Sequence, residues 1–264
     1  MMVEEYSFLD YSPQEKLLRL SIREKADQIR LKWAKKGLFD VFDILENECI
    51  LIRKPLETIE ISGFTTYLEG NFIVFLNSTY TVGHERFSGA HELGHLVMHR
   101  EKLLKENLLR KDYSLEREAT LFAVEFLMPT SGVEEIFHKI VGVEPRQVNV
   151  KHVIRMHHYF KVSYKAMLKR LVYLKLCDIS LYESLCEYCS LDNAELLQDL
   201  TQKEGYCCDL IKKSNSQYVS KEYEEIIRRN FESGKISYKR LEYLLDFIGR
   251  DPFAYGYEVS DGED

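Results

Sequence analysis

His91-Glu92-Leu93-Gly94-His95 sets two histidines four residues apart, with a glutamate beside the first. On a helix, residues four apart lie one turn above each other on the same face. The two imidazoles can therefore converge on one zinc ion. Glu92 can lean over the open coordination position. There it can take the proton of a water, acidified by the metal, that attacks a peptide carbonyl. Residue types and spacing point to zinc-dependent peptide hydrolysis, with His91 and His95 as ligands and Glu92 as general base.

The element that must carry these residues reads as a helix from Arg86 to Leu103. Phe87, Ala90, Leu93, Leu96, Val97 and Met98 are apolar around the histidines, so the helix is expected to be largely buried. A buried histidine pair with a glutamate needs partners, and a metal supplies them. Gly94 costs about 1 kcal/mol relative to alanine inside a helix, which suggests that another backbone or the metal site approaches closely there. The metzincin continuation requires a glycine and a third histidine where this chain has Met98 and Glu101, so that variant is excluded. His99 follows His95 by four, but a straight helix spreads His91 and His99 about 12 Å along its axis. That is too far for two bonds of about 2 Å to one ion, and His99 reads as a packed residue. A carboxylate from a following helix remains. Ser114 reads as the N-cap of that helix, which runs through Ala119, Phe122, Ala123 and Phe126 and stops at Pro129. Glu118, Leu121, Phe122 and Glu125 share one of its faces.

Arg86-Phe87-Ser88-Gly89-Ala90-His91-Glu92-Leu93-Gly94-His95 resembles the R-F-T-x-A-H-E-L-G-H segment of ImmA/IrrE-type metallopeptidases. Glu118-Ala119-Thr120-Leu121-Phe122-Ala123-Val124-Glu125-Phe126-Leu127-Met128-Pro129 is similar to that family's second signature, E-A-N-x-F-A-x-x-L-L-M-P. Asn77 and His99 also stand where the family often has these residues. Val162-Ser163 with Ala166, Leu168, Arg170 and Leu171 resembles its short helical segment beyond the core. The departures are Thr120 for Asn and Phe126 for Leu, and neither is expected to touch a ligand. The resemblance covers roughly residues 20 to 178. It implies that Glu118 is the third zinc ligand. It also implies that the substrate is a regulatory protein, usually a helix-turn-helix repressor encoded beside the peptidase on a phage, mobile element or toxin-antitoxin locus.

The 264 residues, 45% of them hydrophobic, allow one catalytic domain plus a smaller appendage. No segment approaches 18 consecutive apolar residues, so no membrane span is expected. Met1 to Asp10 is acidic and lacks a signal-peptide layout, which points to the cytoplasm and to reduced cysteines. Cys186-x-x-Cys189 and Cys207-Cys208 are poorly spaced for a second tetrahedral site and read as small core residues. The net charge of −7 argues against general nucleic-acid binding. The charge is uneven, however. Lys139, Arg146, Lys151, Arg155, Lys161, Lys165, Lys169, Arg170 and Lys175 face only Glu144 within their stretch. Such a patch suits an acidic protein partner or DNA phosphates, and the acidity of the whole chain favours the protein.

The remaining pattern gives an α+β fold. Its core is mostly helical and zincin-like, with a small antiparallel sheet of about three strands, and a helical C-terminal region follows. Helices read at 13 to 36 and 41 to 47, and strands at 49 to 52, 59 to 67 and 71 to 76, the last two joined at Glu69-Gly70. The third strand or its neighbour is the candidate to pair with extended substrate. Helices at 148 to 159 and 163 to 176 resemble a helix-turn-helix with Ser163 as N-cap, and 220 to 233 with 237 to 248 form a helical hairpin. The expected units are a peptidase core at 1–135, a helix-turn-helix-like segment at 136–178, and a helical extension with an acidic tail at 179–264. Tyr67, Tyr80, Arg86, His99 and the cluster His157-His158-Tyr159 are candidates to stabilise the oxyanion. The alternative to an endopeptidase is a protein-binding regulator that uses the same fold without proteolysis. Intact Glu92 favours the enzyme, because a retired peptidase has no physical need of that base.

Overall fold

The computed structural model describes residues 12–57, 60–68, 70–106, 112–190 and 192–257. Ser12 accepts the N–H of Glu15 and Pro13 occupies the first helical position, which starts α1 (Pro13–Ala34). Asp40 caps α2 (Val41–Glu48) through the N–H of Phe42. Three strands follow, β1 (Ile50–Lys54), β2 (Gly63–Leu68) and β3 (Asn71–Asn77). Next come α3 (Val82–Met98), α4 (Arg100–Glu106), α5 (Tyr113–Leu127), α6 (Thr130–Ile140), α7 (Val150–Phe160) and α8 (Tyr164–Tyr173). The chain continues with α9 (Tyr182–Cys186), α10 (Ala194–Lys203), β4 (Tyr218–Val219), α11 (Lys221–Glu232) and α12 (Tyr238–Phe247). The mostly helical α+β architecture is the expected one.

The sheet differs from expectation in two respects. It is mixed, and it has four strands in the order β2-β3-β1-β4. β2 and β3 form the expected antiparallel hairpin, with Gly63 opposite Leu76 and Leu68 opposite Asn71. Gly70 takes the left-handed conformation at its turn, with φ 88°; Glu69 lies outside the described residues. β1, however, runs parallel to β3. β4 closes the other side, antiparallel to β1. Ile50, Leu51 and Ile52 are buried on alternating faces, so β1 is an interior strand that needs a neighbour on each side. A two-residue strand far along the chain supplies one of them and is too short to show a period-2 pattern.

Each face of the sheet has its own cover. Leu51, Val74 and Leu76 join Ile22, Trp33, Leu45, Leu93 and Phe122 in the main core beneath α1, α2, α3 and α5. Ile50, Ile52 and Phe75 face the other way and meet Val219, Tyr223 and Ile226 of β4 and α11. The C-terminal region thus forms the back of the sheet. A second core gathers Val133, Phe137, Ile154, Met167, Leu168 and Leu171 from α6, α7 and α8. Leu185 and Leu197 belong to it as well, so packing runs across position 178. The hairpin of α11 and α12 closes over Ile227, Leu241 and Leu245. Cys177 and Cys208 are buried, and the Sγ atoms of Cys186 and Cys189 lie 3.7 Å apart.

Candidate metal centre and catalytic cleft

α3 carries the site and is held at both ends. Thr81 accepts the N–H of His84 and starts the helix four residues earlier than the expected Arg86. Gly83 sits against the turn between α7 and α8, where an added Cβ would lie 2.7 Å from Ser163 N and 2.9 Å from Val162 C. Arg86 donates from Nε to Lys161 O at 2.9 Å and pairs with Asp40. The helix-turn-helix-like segment therefore buttresses the catalytic helix. Lys161 at its turn is left-handed, with φ 52°, and Ser163 caps α8 as expected. Further along, a Cβ at Gly94 would stand 3.2 Å from Ala119 Cα and 3.1 Å from the Phe122 ring. This is the close backbone approach that the helix-interior glycine implied, and it sets the distance between α3 and α5.

α3 ends at Met98, with His99 as its C-cap, rather than continuing to Leu103, and α4 begins separately. His99 turns inward, and its Nδ1 lies 2.9 Å from His95 Nδ1. Its Nε2 lies 3.3 Å from Glu118 Oε2. Glu118 is thus placed beside His99 and not at the histidine pair, contrary to its expected position as third ligand. Glu116 is there instead. Its carboxylate oxygens lie 3.1 Å from His91 Nε2 and 3.6 Å from His95 Nε2. The reason is helical phase. Ala119, Phe122, Ala123 and Phe126 are the buried face of α5. Glu116 falls about 60° from Ala119, on the side of Ala123, whereas Glu118 falls about 100° away on the other side. Asp112, rather than Ser114, caps α5 by accepting the Ser114 N–H.

Proton placement follows from these contacts. Thr120 Oγ1 donates to Glu116 O at 2.8 Å, which leaves its lone pairs to accept from His91 Nδ1 at 3.3 Å. Thr120, expected to touch no ligand, therefore sets the tautomer of His91. On the other histidine, Nδ1–H of His95 donates to His99 Nδ1, and Nε2–H of His99 donates to Glu118. Both Nε2 atoms are then bare lone pairs, 3.1 Å apart and facing a carboxylate. Burial, the largest cause, and the neighbouring His91 and His99 push the pKa of His95 down to about 3. Burial also lowers that of His91, so the pair stays neutral. Three converging lone pairs without a proton between them repel unless a cation lies among them. Two ligand atoms about 2.0–2.1 Å from a tetrahedral ion stand about 3.4 Å from each other. The 3.1 Å and 3.6 Å separations bracket that value. The N₂O donor set suits zinc.

Glu92 is buried next to the pair, and burial raises its pKa to about 8. Thr65 Oγ1 on β2 donates to its Oε2 at 2.7 Å. These residues line a cleft of about 440 Å³, one wall of which is the strand segment Gly63, Phe64 and Thr65. His84 also lines it, with Nε2 3.0 Å from Ser62 Oγ and its ring stacked on Tyr80. Sequence reasoning missed His84, although it precedes His91 by seven residues, close to two turns on the same face. The other oxyanion candidates are engaged elsewhere. His157 is fully buried and contacts Val162 O, His158 stacks on Tyr206, and Tyr67 packs on Phe72. Asn77, also buried, fixes the chain before β2 by donating to Leu56 O and Ile61 O.

Residues 48–172 match the family model of the IrrE N-terminal-like domain, Peptidase_M78. No curated protein matches the chain.

Proposed function

We propose, for a chain whose residues 48–172 match the model of the IrrE N-terminal-like domain, a zinc-dependent endopeptidase in which His91, His95 and Glu116 hold the metal and Glu92 is the base. The observation that carries this reading is the convergence of two histidine Nε2 atoms and a carboxylate beside a buried glutamate. Zinc held there would polarise the scissile carbonyl and acidify water. The rest falls to the chain itself. Thr65 holds Glu92 by Oε2, which leaves Oε1 to take the proton of the attacking water and pass it to the departing amine. β2 lies at the edge of the sheet and beside the cleft, so its outer backbone can pair with an extended substrate strand. β3, the first candidate for that task, is interior and already paired on both sides.

The substrate is a specific regulatory protein, a helix-turn-helix repressor or an antitoxin, as the family likeness suggests. Among the described residues no helix is long and apolar enough to cross a membrane. The test uses purified protein with the candidate repressor encoded nearest its gene. Wild type should carry about one zinc per chain and cut the repressor, and Glu92→Gln should keep the zinc and lose cleavage. Cleavage by Glu92→Gln at the wild-type rate refutes the assigned base.

A further inference from the structure

The catalytic cleft continues into a groove of about 860 Å³ between α5 and α8, and His84, Phe87 and Glu116 line both. The floor of this groove is apolar, with Leu121, Val124 and Met128 on one side and Ala166 on the other. Lys165 and Lys169 stand one turn apart along α8 at its rim. We propose that this groove holds an extended acidic segment of the protein substrate, flanking the bond that is cut, and that Lys165 and Lys169 select it. This rests on the peptidase reading and adds a substrate class to it.

The charge ledger of the groove supports an anionic occupant. Four of the nine basic residues of the local stretch are already paired. Arg146 pairs with Asp178, Lys151 and Arg155 pair with Glu204, and Arg170 pairs with Glu125. Arg19 and Arg117, which also line the groove, share Glu15. Of its two carboxylates, Glu125 is bonded by Arg170 and Arg23, and Glu116 is turned to the histidines. Among the described residues, Lys165 and Lys169 enter no ion pair, and the groove has no spare carboxylate for them. An incoming acidic side chain meets two uncompensated ammonium groups against an apolar wall, where screening is weaker than on open surface. An extended peptide sends alternate side chains to opposite sides, so acidic residues alternating with apolar ones match both the rim and the floor. DNA does not suit this arrangement. The recognition helix of a helix-turn-helix protrudes into the major groove, whereas α8 is itself the wall of a concavity.

The test uses the full chain carrying Glu92→Gln, so that the probe survives, and fluorescein-labelled ten-residue peptides of alternating Glu and Val. Matched peptides carry Gln or Lys in place of Glu. Anisotropy should show the Glu peptide binding at least tenfold more tightly than the Gln peptide, with the difference shrinking as salt rises. Lys165→Glu with Lys169→Glu should reverse the order in favour of the Lys peptide at unchanged zinc content. Equal binding of the Glu and Gln peptides, or an unaltered preference after charge reversal, overturns the proposal. Mass spectrometry of a peptide mixture cut by the wild type separates the two readings. Cuts without acidic enrichment near the cleaved bond sink the groove alone. Acidic binding without any cutting sinks the peptidase reading alone.

Discussion

Glu116→Gln and Glu118→Gln, two residues apart on one helix, should weaken zinc binding by very different amounts. Glu116 supplies a carboxylate to the histidine pair. Structural sites with four ligands bind zinc with about 10–16 kcal/mol, or about 2.5–4 kcal/mol for each ligand. At about 1.4 kcal/mol per decade, losing one anionic ligand raises the zinc Kd roughly 10²–10³-fold. Glu118 acts only through His99, which in turn meets His95. The amide oxygen that Glu118→Gln introduces still accepts from His99 Nε2, so only the charge is lost. Removing such an outer partner costs about 10–100-fold, and the retained hydrogen bond places this substitution near the lower end. Competition with a chromogenic zinc chelator at pH 7.4 reads both Kd values. A larger loss from Glu118→Gln than from Glu116→Gln would refute the helical-phase argument and the ligand set built on it.

Other expectations follow from the packing. Gly83→Ala should lower Tm despite the better helix propensity of alanine, because the new methyl meets backbone at 2.7–2.9 Å and overpacking typically costs about 1–3 kcal/mol; an unchanged or higher Tm counts against that contact. Burial holds the pKa of His157 near 3 in the fold, against 6.5 for the free side chain, so its contribution is complete above pH 6.5 and drains away as pH falls toward 3. Urea unfolding at pH 7, 6 and 5 should show a loss of up to about 1.4 kcal/mol per unit from this group, and His157→Gln should flatten the slope; equal slopes would exclude His157 as the source. Ser220→Ala should destabilise by about 1–3 kcal/mol, because Ser220 Oγ accepts the buried Leu51 N–H at 2.8 Å; a denaturation midpoint equal to wild type would show that the bond contributes nothing.

The catalytic helix was legible because its chemistry is local. His91, Glu92 and His95 lie within five residues, and Gly94 announced the close approach of α5. Glu116, rather than the expected Glu118, stands at the histidine pair, and the reason is local too. Glu116-Arg117-Glu118 offers two carboxylates, and the similarity to a known signature favoured the one next to Ala119. The phase of the buried face on α5 separates them once Ala119 is known to meet Gly94. Thr120 looked like a neutral exchange for Asn because its partner, His91, lies 29 positions away. The parallel pairing of β1 with β3, and the whole of β4, depend on contacts between distant segments, about which periodicity is silent. His84 was missed for want of a motif, although its spacing from His91 was in plain view.

The late strand has a consequence for the order in which the protein is made. Val82 N donates to Lys212 O, Ser214 N to Tyr80 O, and Asn215 N to Ser78 O, while Ser220 closes on Leu51. The start of the catalytic helix and one side of β1 are thus finished by residues about 130 to 170 positions downstream. Ribosomes add about 5–20 residues per second, so the two histidines leave the exit tunnel roughly 6–25 s before the segment that anchors their helix. During that interval β1 presents an unsatisfied backbone edge, the kind of surface on which nascent chains aggregate. Completion of the site thereby waits for the synthesis of residues 212 to 220.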